Sequence, residues 1–199
     1  MKIDRSDGVD KRFNQDLFHI RKHILTFAGA KLEIFDAQEQ VIFFSKMKAF
    51  KLREDIRIFS GEDMQEEFIS IHARSALDFS AIYDVMDSKT GEKIGALQRH
   101  GMKSMIKDEW SILNANDVQV GKIQEDNILL AILRRFIGLI PQSFKVEMNG
   151  TPVAEFKQNF NPFVVKLNLD FSMDKSQTLD RRLGLAAGIL LCVIEGKQD

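Results

Sequence analysis

Apolar and polar residues alternate with a period of two along most of this chain, and Asp, Asn and Gly interrupt the alternation at short intervals. One unit recurs: Leu32 to Lys46 (LEIFDAQEQVIFFSK), Tyr83 to Arg99 (YDVMDSKTGEKIGALQR), Trp110 to Asp126 (WSILNANDVQVGKIQED) and Phe144 to Gln158 (FKVEMNGTPVAEFKQ). In each, apolar positions such as Tyr83 and Val85, Trp110 and Ile112, or Phe144 and Val146 run into Asp36, Asp87, Asn114 or Asn149. Those short polar side chains bond to the backbone that follows and tolerate left-handed φ, so each unit predicts a hairpin. Asn149-Gly150 is the sharpest signal, because a type I′ turn needs positive φ at both central positions. A small residue then follows the returning apolar one: Gly95 after Ile94, Gly121 after Val120, Ala154 after Val153. That recurrence predicts a bend or a close backbone approach at a barrel corner.

The alternation continues between the units. Ala49 to Phe59 and Glu66 to Arg74 flank the turn-like Ser60-Gly61-Glu62-Asp63, Gly101 to Lys107 extends the strand before it, and Phe163 to Phe171 sets Val165, Leu167 and Leu169 on one face. The count comes to about a dozen short antiparallel strands joined by tight turns, the pattern of a barrel or sandwich. Two segments depart from it. Asn127 to Gly138 (NILLAILRRFIG) has helical spacing, with Asp126 as cap, and predicts a helix across the outside or one end of the sheet. Leu183 to Ile194 (LGLAAGILLCVI) is twelve residues without a polar side chain. A helix with no polar stripe must be covered on every side. It would span about 18 Å at 1.5 Å per residue, against roughly 30 Å for a bilayer core, so protein is its expected surroundings. The fold class predicted is all-β with two helices: a closed antiparallel β-barrel of about twelve strands around a central hydrophobic C-terminal α-helix.

Composition narrows the rest. No Pro-, Gly- or Ser-rich stretch marks a linker, which predicts one domain over residues 13–199 behind a flexible tail of residues 1–12. Sixteen Phe against one Trp and one Tyr suit half-buried strands. With 28 basic and 29 acidic residues no overall field recruits nucleic acid or anionic lipid, so any such binding must come from a local patch. No secretory leader is read at the N-terminus, and the one cysteine, Cys192, excludes an internal disulfide; both point to the cytoplasm. Cys192, inside an apolar run, is read as a small buried hydrophobe.

The sequence also resembles a known superfamily. Lys48 to Phe59 (KAFKLREDIRIF), Asp78 to Leu97 (DFSAIYDVMDSKTGEKIGAL), Asp108 to Trp110 and above all Asp170 to Gly196 (DFSMDKSQTLDRRLGLAAGILLCVIEG) are similar to Tubby C-terminal-like domains, and among them to LURP-one-related and phospholipid-scramblase-like proteins. That resemblance implies a closed barrel around a C-terminal helix. It also implies functions centred on lipids: Tubby domains bind phosphoinositides through basic side chains, and scramblases are linked to lipid movement. The chain departs from the animal scramblases in lacking a Pro-rich N-terminal region and a palmitoylated cysteine cluster.

No nucleophile elbow, P-loop, dinucleotide fingerprint or paired-histidine zinc motif occurs, so no enzyme active site and no cofactor are predicted. His19, His23, His72 and His100 have no ligand spacing for a metal. Asp170, Asp174 and Asp180 lie where the resemblance places an acidic cation-binding segment, but their spacing is not that of a calcium loop, and helix capping is the simpler role. The features with a functional slope are basic. Lys46, Lys48, Lys51, Arg53 and Arg57 form one group, Arg99, His100, Lys103 and Lys107 a second, Arg134 and Arg135 a third, and Arg181 and Arg182 stand before the central helix. Anionic phosphates favour such groups where they converge, and an ordinary solvated exterior is the plain alternative. The reading is a non-catalytic cytoplasmic binding module for anionic membrane lipids, with no transmembrane segment. A protein-interaction domain is the alternative, and a nucleic acid is the less expected partner.

Overall fold

The computed structural model describes residues 9–25, 29–47, 55–74, 81–100, 109–126, 142–159 and 164–195. The strands are β1 (Leu17–Leu25), β2 (Gly29–Phe35), β3 (Val41–Met47), β4 (Asp55–Phe59), β5 (Glu67–Ala73), β6 (Ile82–Asp87), β7 (Lys93–His100), β8 (Glu109–Asn114), β9 (Gln119–Glu125), β10 (Ser143–Met148), β11 (Thr151–Asn159) and β12 (Val165–Asp170). Each pairs with the next in sequence, and β12 pairs with β1 to close the barrel. The closed twelve-stranded antiparallel barrel with a C-terminal helix is therefore as predicted. The helix expected at Asn127 to Gly138 and the strand expected at Gly101 to Lys107 lie outside the described residues, as do Lys48, Lys51, Arg53, Lys103, Lys107, Arg134 and Arg135.

Local chemistry builds the hairpins as the sequence predicts. Asp36 accepts from the amides of Gln38 and Gln40, Asp87 from those of Lys89 and Thr90, and Asn114 from those of Asn116 and Val118. Asn149 and Gly150 have φ of 49° and 79°. The small residues after the returning strands mark close approach. A Cβ on Gly95 would lie 2.5 Å from the Leu113 carbonyl oxygen and 2.9 Å from the Leu183 side chain; one on Gly121 would lie 2.5 Å from the Glu147 oxygen.

The central helix, α1 (Arg181–Leu190), runs on into a π-helical turn at Leu191–Glu195, and every residue from Leu183 to Ile194 is buried. Asp180 caps its N-terminus, accepting from the Arg182 amide. Gly184 and Gly188 keep it thin, since a Cβ would meet the Phe171 ring at 2.6 Å or the Leu169 side chain at 2.7 Å. The obstacle decides the cost of adding a methyl group. At Gly188 the neighbours are flexible side-chain ends, and alanine gains about 1 kcal/mol of helix propensity. At Gly95 the obstacle is backbone. Gly95→Ala is expected to lose about 1–3 kcal/mol, and Gly188→Ala much less, in urea unfolding of the two variants.

Antiparallel order puts the turns after β2, β4, β6, β8 and β10 at one end of the barrel, where α1 enters, and the remaining connections at the other, where it leaves. The lumen differs between these ends. At the entry end a 3-10 turn at Lys11–Phe13 inserts Phe13, stacked on Phe43 at 4.4 Å and edge-on to Phe68 at 5.9 Å. At the exit end the inward positions turn polar. Lys22 and Glu125 are buried there, and Lys22 Nζ donates to the Cys192 carbonyl at 3.0 Å. That bond satisfies a carbonyl the π turn leaves open and sets a cation at the negative end of the helix dipole. Ser45 Oγ and Trp110 Nε1 are also buried, without a hydrogen-bond partner among the described residues. The Cys192 thiol is buried, and burial pushes its pKa up to about 12, so it is a small hydrophobe rather than a reactive group.

Candidate functional site

Of the basic residues singled out on the strands, Lys46, Arg57, Arg99 and His100 are described, and they do not converge; the His100 ring is bonded to the Ser111 hydroxyl at 2.8 Å. Lys46 is exposed on β3, directly across from Lys31 of β2. Arg57 faces outward on β4, but its guanidinium is bound to Glu67 at 3.0 Å and to Asp55 at 3.2 Å. Arg99 stands three strands further round and on the other face of the wall. It pairs in register with the buried Trp110, as Leu97 pairs with Ile112, and Gly95 on that same face meets the central helix. From Gly95 to His100 the pairing with β8 has no register shift, so Arg99 keeps the inward parity of Gly95 and Leu97.

Arg181 and Arg182 stand at the mouth of α1, as read from the sequence, but are consumed by acids. Arg181 is bound to Asp174 at 2.8 Å and Asp16 at 3.1 Å; Arg182 is bound to Asp87 at 2.5 Å and Asp180 at 2.7 Å. The same contacts place the candidate cation ligands. Both Asp174 oxygens are taken by the Thr178 amide and hydroxyl, the Leu179 amide and Arg181, and Asp180 is the helix cap. Asp170 accepts from the Ser172 amide. Among the described residues no group of three or more His, Cys, Asp and Glu side chains could hold a metal ion.

Two concavities of the outer wall are lined by described residues. A groove of about 480 Å³ lies over β5 and β6, lined by Glu67, Ser70, His72, Asp84, Met86 and Asp87. Its carboxylates are all engaged: Glu67 with Arg57 and Ser88, Asp87 with Arg182, and Asp84 with Arg74 and Lys93. The bonded Arg74 and the ammonium of Lys93 hold the Asp84 carboxyl below the usual carboxylate range. A second groove, of about 250 Å³, crosses β1, β12 and β11 and is lined by His19, Arg21, Glu39, Asn159, Lys166 and Asn168. Reading the sequence missed it, because its halves come from opposite ends of the chain; the signal available was a run of outward polar residues on β1 and β12.

Lys48, Lys51, Arg53, Lys103, Lys107, Arg134 and Arg135 lie outside the described residues. The described strand ends that flank them in sequence, Met47 and Asp55, His100 and Glu109, and Glu125 and Ser143, stand at the exit end of the barrel, and Asp55, Glu109 and Asp126 are acidic. The entry-end turns carry Asp36, Glu39, Glu62, Asp63, Glu66, Glu92 and Asp117, with Lys89 among them.

A family model described as LURP-one-related matches residues 41–192, from β3 to the π turn. Neither the curated proteins nor the solved structures searched gave a match.

Proposed function

The chain belongs to the LURP-one-related family, and from that premise we propose that it is a non-catalytic binding module that recognises anionic phospholipid headgroups at the exit end of its barrel. Family membership supports a binding domain rather than an enzyme. One observation supports the lipid reading: the described strand ends that flank the segments holding Lys48, Lys51 and Arg53, and Lys103 and Lys107, stand at one end of the barrel. Basic residues that meet an anionic surface contribute about 1 kcal/mol each, which is what such an end would need to orient the barrel over a membrane. Lys46, exposed and next to Lys31, extends the basic side of that end onto the wall. Arg57 and Arg99 add less: the first is neutralised by Glu67 and Asp55, and the second faces the lumen.

Among the described residues no helix is long and apolar enough to cross a membrane. The proposal is accordingly one of peripheral contact from the cytoplasmic side. In liposome flotation the full chain should rise with vesicles containing phosphatidylserine or phosphoinositide and stay behind with phosphatidylcholine alone. Recovery should fall as salt rises, because exposed charges are screened, and in Lys51→Gln/Lys107→Gln. Equal recovery with neutral and acidic vesicles removes the reading.

A further inference from the structure

The groove over β1, β12 and β11 holds charge that the fold does not use. Arg21 of β1 lies directly opposite Lys166 of β12, and Lys166 directly opposite Asn159 of β11. Like charges facing one another across an antiparallel ladder destabilise it. Arg21 is partly relieved, since its guanidinium lies 4.1 Å above the Phe35 ring and pairs with Glu39. Lys166 has no such relief: among the described residues its ammonium has neither an ion pair nor a hydrogen bond. With Glu39 set against Arg21, the groove keeps an uncompensated positive charge.

Around that charge stands a frame of hydrogen-bonding groups. His19 Nδ1 donates to Asn168 Oδ1 at 2.8 Å, which fixes the ring and leaves its Nε2 and the Asn168 amide nitrogen as further polar atoms. Asn159 adds a second carboxamide. Glu39 takes one terminal nitrogen of Arg21; the guanidinium's remaining donors, an ammonium and carboxamides around a small concavity match a tetrahedral oxyanion, which Arg and Lys hold from two sides. At about 250 Å³ the space is smaller than the roughly 300–1,000 Å³ of pockets for larger organic ligands.

We propose that this groove binds a phosphate monoester, with Arg21 and Lys166 as its cations and His19, Asn159 and Asn168 as its hydrogen-bonding frame. The site is separate from the rim proposed above. Its β1 residues, His19 and Arg21, also precede the segment that the family model matches. The ester is either a lipid headgroup or a small soluble phosphate, and the test separates the two.

An amide NMR titration of the full chain with glycerol 3-phosphate, matched in ionic strength against sodium chloride, provides the test. Saturable shifts on β1, β11 and β12 are expected. Affinity should fall about tenfold in Lys166→Gln, the scale of one lost charge-assisted bond. It should be unchanged in Lys145→Gln, whose ammonium pairs with Asp126 elsewhere on the wall. Shifts no different from those with chloride, or a Lys166→Gln variant that binds as tightly as wild type, overturn the proposal. Vesicles carrying phosphatidic acid then identify the source. If Lys166→Gln loses both glycerol 3-phosphate and vesicle binding, the ligand is a headgroup; if it loses only the soluble ester, the ligand is a free phosphate. Vesicle binding lost only in Lys51→Gln/Lys107→Gln bears on the rim alone.

Discussion

Asp174→Ala is expected to lower the unfolding free energy by about 3 kcal/mol, because it strips the buried carboxylate from the Arg181 guanidinium and leaves it Asp16, which is half exposed, and the Leu179 carbonyl. The Arg181 side chain is 7% exposed and that of Asp174 2%. Asp174 accepts four hydrogen bonds, from the Thr178 amide and hydroxyl, the Leu179 amide and Arg181, and so ties the end of β12 to the start of the central helix. Without it, the Thr178 and Leu179 amides lose their acceptor and the Arg181 guanidinium loses its buried one. Denaturant unfolding followed by near-ultraviolet circular dichroism measures the loss; a midpoint equal to wild type would sink the account.

The same site sets a pH dependence. Burial pushes the Asp174 pKa up, but the amides of Thr178 and Leu179, then Arg181 and the Thr178 hydroxyl, outweigh burial and leave it below the ordinary value of 3.8. A carboxyl depressed in the native state contributes stability that is complete above its unfolded pKa and is lost as pH falls through the folded one. Wild type should therefore lose stability below about pH 4, and Asp174→Asn, which cannot titrate, should lack that part of the slope.

Phe171→Ala is the second large effect, at about 3–5 kcal/mol. The ring is fully buried and meets Phe18 and Phe156 edge-on at 6.0 and 5.5 Å, with the Arg181 guanidinium 4.8 Å from its centre. It is also the surface against which Gly184 packs. Its removal opens a cavity between β1, β11, β12 and α1 that a thin helix cannot fill. Because Phe171 and Asp174 share Arg181, the double variant should lose less than the sum of the two singles. Strict additivity in that cycle would mean that the ring and the carboxylate act independently.

Much of the architecture is legible locally. Asp36, Asp87 and Asn114 act within four residues of themselves, so their turns follow from short-range hydrogen bonding. Leu183 to Ile194, apolar all round and too short for a bilayer, leaves a surrounding sheet as its cover. The functional side chains are less legible. Arg57 looks free in the sequence and is spent on Glu67, while Arg99 looks external and shares the inward face of Leu97, since a charged residue at a strand end breaks the apolar alternation that marks that face.

The sequence by itself therefore determined most of the strands, their turns and the buried helix, since these depend on periodicity and on bonds between near neighbours, but not β1 (Leu17–Leu25), whose charged alternate positions hid it. The tertiary structure alone decided which charges remain available. Closing β12 against β1 brings His19 to Asn168 across 149 positions of chain and sets Lys166 opposite Arg21. No local pattern encodes such a meeting, because charge neutralisation is a property of distance in space, and that distance exists only once the barrel has closed.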